Sequence, residues 1–128
     1  MRQDAEQPVI WAIRPTARAD AEIVAASAYF AKSADIETGR AWLKGIKEEI
    51  AKLAQLPTRW PVAEEDKLFR EQVRRMLYRR TPGGPAHRIL FVLRENPDDA
   101  PTVTIIHVRH AAQKPMTRKE AKEIEASE

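Results

Sequence analysis

The chain has 128 residues, 43% of them hydrophobic, and no cysteine. That length fits one domain able to bury roughly two-thirds of its unfolded surface, and it excludes disulfides and thiolate metal sites. The net charge is only +3, no apolar run approaches the roughly 20 residues of a membrane span, and Met1–Gln7 is polar without a signal segment, so a soluble cytoplasmic protein is expected.

Val9–Ile13 is β-branched and aromatic ahead of Pro15, which predicts a first strand. Thr16 offers an N-cap, and Ala17, Ala21, Val24, Ala28 and Ala31 recur at helical spacing. Asp35 caps a second helix, whose stripe of Leu43, Ile46, Ile50, Leu53 and Leu56 ends at Pro57. The short link between them makes an antiparallel helical hairpin. Residues 58–66, with the acidic triplet Glu64-Glu65-Asp66, read as a loop. Gln72–Arg80, His87–Arg94 and Thr102–Val108 form a three-stranded meander, broken by turns at Thr81–Pro85 and Asn96–Pro101. Thr117 and Glu120 have the spacing of a capping box that opens a charged helix to about Glu125. The expected class is α+β: a strand, a two-helix hairpin, an antiparallel meander completing one sheet, and a short C-terminal helix. One domain covers residues 1–128 with its core at about 9–112, and the helices are expected on one side of the sheet.

Charge is unevenly placed. Lys67 to Arg94 holds eight basic residues against one acid, Glu71, a local +7 in a chain of +3. Such a segment sets up a surface that attracts phosphate backbones or acidic proteins. The plainer reading puts arginines such as Arg80 and Arg94 at strand ends, where charge discourages edge-to-edge association. That does not account for Arg74-Arg75 and Arg79-Arg80 within one strand.

His107 and His110 suggest a zinc pair, but residues three apart on a strand face opposite ways and no cysteine completes a site. A general acid or base suits them better, and a hydrogen-bonded histidine at a strand end suits each one singly. Tyr78 is a proton donor, a stacking platform or half-buried packing. Trp11 and Trp42 belong to the core, and Trp60 to packing at a loop. Gly83-Gly84 is turn chemistry, since a phosphate loop needs a following helix. No nucleophile elbow, paired-carboxylate pattern or metal-ligand cluster is present.

The element order, the Arg74-Arg75-x-Leu77 segment, the His87-Arg88-Ile89-Leu90-Phe91 strand and the Ile105–His110 ending together resemble the RelE/ParE superfamily of toxins from type II toxin-antitoxin modules, over roughly Val9 to Ala112. The resemblance implies a small toxin, free of metal and cofactor, held by a cognate antitoxin in a hetero-oligomer. RelE-like members cleave mRNA on the ribosome, whereas ParE-like members poison DNA gyrase. Arg88 falls on the family's strand arginine, with His87 in place of the usual tyrosine. Arg74, Arg75 and Arg79 fall near its basic positions, and His110 near a C-terminal catalytic position. A ribonuclease would draw charge from Arg75, Arg79 and Arg88 and a proton from His107 or His110. Partner contacts would come from Arg74, Arg75, Arg79, Arg80, Arg88 and Arg109. No tyrosine follows Tyr78, so the C-terminal tyrosine of RelE-like nucleases is missing, which favours gyrase. A non-toxic nucleic-acid-binding module is the reading from another class. An antitoxin is expected to lay an acidic, amphipathic segment over the sheet and helices. Arg88 is expected beside a turn with its head group in solvent, so that Arg88→Ala removes toxicity at a stability cost of at most about 0.5 kcal/mol.

Overall fold

In the computed structural model, which describes residues 9–128, four strands form one sheet in the order β1-β4-β3-β2. The polar Met1–Gln7 segment lies outside the described residues. Strand β1 (Ala12–Pro15) leads into α1 (Ala17–Ser33) and α2 (Ile36–Ala51), then come β2 (Arg74–Arg79), β3 (Ala86–Arg94), β4 (Thr102–His110) and α3 (Arg118–Ala126). The meander pairs antiparallel, and β1 lies parallel to β4 with Ala12 beside Thr102 and Pro15 beside Ile105. Among the described residues, no helix is long and apolar enough to cross a membrane.

Local chemistry sets the helix starts. Thr16 accepts from the Ala19 amide at 3.1 Å, and Asp35 from the Thr38 amide at 2.7 Å. Thr117 and Glu120 close a reciprocal capping box at 3.1 Å in each direction. Each cap satisfies an amide that the first helical turn leaves without a partner.

Elsewhere tertiary contacts override the pattern. The first strand begins at Ala12 rather than Val9, because its register is set by β4, and the Trp11 amide donates instead to the Ala54 carbonyl at 2.9 Å. Helix α2 stops at Ala51 and tightens into a 3-10 turn over Lys52–Ala54. Leu56 therefore leaves the stripe: it sits in the left-handed region at φ 50° and is exposed, while Ile46, Ile50 and Leu53 are buried. The expected loop after it contains two further 3-10 turns, Pro57–Arg59 and Glu64–Leu68.

The helices do not all lie on one side. Ile89, Phe91, Val103 and Ile105 pack under α1 and α2 with Trp42, Ile46 and Met76. Leu90, Val92 and Ile106 form a second core with Val73, Met116, Ala121 and Ile124 on the opposite face. Strands β3 and β4 are apolar on both faces, so each face needs a cover. Helix α3 covers the second one, an outer layer opposite the inner layer of α1 and α2.

Two glycines allow close approach. A Cβ at Gly39 would lie 2.8 Å from the Ser27 carbonyl oxygen, where α2 crosses α1. At Gly45 a Cβ would overlap the Tyr78 hydroxyl, which donates to the Trp42 carbonyl at 3.2 Å. Gly45→Ala should therefore cost about 1–3 kcal/mol by overpacking. Adding Tyr78→Phe, which removes the clashing oxygen, should recover part of it in a thermal melt. Equal melting of Gly45→Ala and the parent protein would refute this contact.

Candidate binding surface

A β-bulge decides which side chains meet. Between Leu90 and Phe91 the β3–β4 register shifts, so Ile106 and His107 together oppose Leu90. An extra residue of this kind reverses the alternation beyond it. Val108 joins the inner layer while His107 and Arg109 turn to the outer face, where Arg109 sits directly across from Arg88. Two arginines side by side and mostly buried require answering charges.

The 3-10 turn Glu64–Leu68 supplies them to Arg88. Its Nη2 donates to Glu65 Oε1 at 2.5 Å, and Nη1 stands 3.9 Å from Glu64 Oε1. The side chains of Arg88 and Glu65 are only 12% and 10% exposed. Asp66 fixes the turn by accepting from the Val73 amide at 2.7 Å. Glu65 and Asp66 thus form a clamp rather than part of a solvated loop, while Glu64 stays exposed at its rim. Arg88 Nε is buried without a partner.

Arg109 is also occupied. Its Nη2 donates to the Lys114 carbonyl at 2.7 Å, and Nη1 lies 3.8 Å from Glu120 Oε2 and 3.4 Å from His107 Nε2. His107 Nδ1 is 2.7 Å from Glu22 Oε2 but outside the angle of a hydrogen bond. The other oxygen of Glu22 accepts from the Val108 amide at 2.8 Å, capping the part of β4 that β1 does not reach. Beside these groups is a cleft of about 380 Å³, bordered by Lys67, Arg88, Arg109, Gln113 and Lys114 with Glu64 and Glu65.

His110 diverges from this group. It pairs with His87 on the inner face, is exposed, and accepts from the Ala112 amide at Nδ1. A shared metal with His107 is therefore ruled out by geometry. His87 is buried, 5.0 Å from the Trp42 ring, 6.0 Å from Phe30 and 5.1 Å from His110, measured between ring centroids. Burial, with the charge of His110 adding to it, pushes its pKa down to about 4. Tyr78 is likewise core, with burial raising its pKa.

Strand β2 divides its arginines between the faces. Arg74 turns inward and donates to the Thr58 and Trp60 carbonyls at 3.1 and 2.6 Å, tethering the Pro57–Arg59 turn. Arg79 lies on the outer face and donates to Gly84 at 2.6 Å across the hairpin turn. Arg94 is held by Glu71 and Glu128 at 2.6 and 2.7 Å. Among the described residues, Arg75 and Arg80 have side chains with no such partner.

The outer face thus gathers Arg75, Arg79, Arg88, His107 and Arg109, while Arg74, Arg80 and His110 belong to the other side. Glu22, Glu65 and Glu120 are counter-charges to these groups that the sequence reading overlooked. The acidic triplet just ahead of the basic run was the available signal, since concentrated charge calls for nearby compensation. Comparison with protein-family models, with curated proteins and with solved structures finds no match.

Proposed function

We propose that this chain is the cytoplasmic toxin of a type II toxin-antitoxin module, of the RelE/ParE kind, and that it inhibits growth by binding DNA gyrase rather than by cutting RNA. The strand, helical hairpin and meander in this order support the family reading. The observation that carries the target is the Arg88–Glu65 ion pair. A metal-independent ribonuclease needs uncommitted positive charge at the scissile phosphate and a positioned proton donor. Here Arg88 is answered by Glu65, Arg109 by Glu120 and a carbonyl, and His107 is packed against Glu22, while His110 is on the other face. The only tyrosine in the meander has its hydroxyl on a core carbonyl. These groups hold the fold together, which suits a protein-binding role.

The cleft beside Arg88 favours a second reading, mRNA cleavage, because its orphaned Nε and two flanking lysines suit an anion. One experiment separates the two. The protein is incubated with translating ribosomes and, separately, with gyrase and supercoiled plasmid. Inhibited supercoiling or linearised plasmid with intact mRNA is expected, together with growth arrest when the chain is expressed without a partner. Cut mRNA with normal gyrase activity would select the nuclease. Unimpeded growth at high soluble expression would overturn the toxin reading. Salt-sensitive RNA or DNA affinity in filter binding, without either activity, would leave a nucleic-acid-binding module.

A further inference from the structure

Strand β2 is an edge strand whose outward side is only half covered. The Arg75 amide donates to the Pro61 carbonyl at 3.0 Å, and Val73 accepts from the Ala63 amide at 2.8 Å. Residues 73 and 75 therefore point their backbone groups away from β3, and by alternation so do Leu77 and Arg79. The covering segment pairs Val62 with Arg74 and extends as far as Pro61 beside Arg75. Past it, among the described residues, the outward N–H and C=O groups of Leu77 and Arg79 have no backbone partner. Leu77 is 40% exposed there. A groove of about 640 Å³ runs alongside, between this edge and the Ala41, Gly45 and Glu48 face of α2.

We propose that the open half of β2 is a docking edge for an extended acidic segment of a partner protein, which adds to the sheet as a fifth strand. The inference extends the binding reading above without requiring toxicity. Pairing with Leu77 and Arg79 offers up to about four backbone hydrogen bonds, two for each outward residue. Side chains on the outer face of the added strand would stand about 5 Å from Leu77 and Arg79, and Arg75, whose edge position Pro61 fills, would be reached diagonally at about 7–8 Å. Carboxylates suit the two arginines, and an aliphatic side chain suits Leu77 between them. Arg75 has no carboxylate of its own, and Arg79 is engaged only by a carbonyl, so their charge is available.

Two other occupants fit worse. A second copy pairing antiparallel through Leu77 would set Arg75 against Arg79 twice, and like charges directly opposite are destabilising. A nucleic acid would leave the backbone groups unused, whereas an added strand can turn its carboxylates to the arginine face and uncharged side chains toward Glu48 and Glu49 on the groove wall.

The test uses the full chain and a synthetic peptide centred on Glu-Thr-Val-Thr-Glu, which sets a valine between two glutamates on one face, with its lysine counterpart as control. Hydrogen exchange followed by NMR reads the amides of Leu77 and Arg79 directly. The acidic peptide is expected to slow exchange at these two amides, and the lysine peptide to leave them unchanged. Reversing both charges, as Arg75→Glu with Arg79→Glu, should weaken binding by about tenfold or more, since two attractive cross-strand pairs become repulsive. Leu77→Pro removes one outward N–H at an edge position that tolerates proline, and should also weaken binding while a thermal melt verifies the fold. Unchanged exchange at Leu77 and Arg79 under saturating peptide would overturn the proposal. So would protection that appears with protein concentration alone, which would indicate self-association, or protection produced by an RNA oligonucleotide instead.

Discussion

Arg88→Ala is expected to destabilise the protein by about 3–5 kcal/mol, because it leaves Glu65 as a buried carboxylate without its partner. At this chain length such a loss lowers the melting temperature by roughly 10 °C or more. The sequence alone placed the Arg88 head group in solvent and put the cost at no more than about 0.5 kcal/mol. The difference comes from where the strand lies. Arg88 is on the outer face of an interior strand, and the Glu64–Leu68 turn folds over it. Loss of growth inhibition by this variant would therefore not identify a contact residue by itself. The diagnostic set is Arg88→Ala, Glu65→Ala and the double variant. Removing both charges should restore much of the stability lost by Arg88→Ala, since no orphaned ion remains. Arg94→Ala is the comparison: its side chain is 39% exposed, and its pairs with Glu71 and Glu128 sit at the surface. It should cost no more than about 1 kcal/mol. If Arg88→Ala melts with the parent protein, the buried ion pair is not a structural element.

What the sequence disclosed was whatever is decided within a few residues. Thr16, Asp35 and the Thr117–Glu120 box announce their helices because a cap needs only its own first turn. The meander was legible because each turn carries its own prolines, joined by Gly83-Gly84 in the first and by Asn96, Asp98 and Asp99 in the second. The faces of the last strand were not. In Val103-Thr104-Ile105-Ile106-His107-Val108 four of six positions are apolar and Ile105 and Ile106 are adjacent, so no clean alternation marks the bulge that sends His107 and Arg109 outward. The placement of α3 was hidden for the same reason, since β3 shows apolar residues on both faces and either could receive a helix. The basic surface was overestimated. Of eight cationic residues from Lys67 to Arg94, Arg74, Arg79, Arg88 and Arg94 each bond elsewhere in the chain. Their partners come from the preceding loop, the hairpin turn and the C-terminus, and residue spacing gives no access to such contacts. What remains uncommitted is Lys67 and Arg70 around the Glu64–Leu68 turn and Arg75 and Arg80 at β2, a narrower feature than a basic face.

Acidification should destabilise the fold through His87 by about 3 kcal/mol at pH 4 relative to pH 7. The imidazole is enclosed by Phe30, Trp42 and His110, and its Nδ1 has no partner. Burial, aided by His110, lowers its pKa from 6.5 to about 4. The unfolded chain therefore takes up this proton more readily than the folded one. Stability is fully present above about pH 6.5 and declines as pH falls toward 4, where the folded protein also begins to protonate. Carboxylates titrate over the lower part of that range, so the informative quantity is a difference. His87→Phe keeps an aromatic ring in the cage and removes the titrating group. Denaturant unfolding of both proteins at pH 7, 5.5 and 4 should show the parent losing about 3 kcal/mol more than the variant over the interval. NMR titration of the His87 ring should give a midpoint near 4. Parallel stability curves, or a His87 midpoint near 6.5, would mean that water reaches the ring and that the aromatic cage is open.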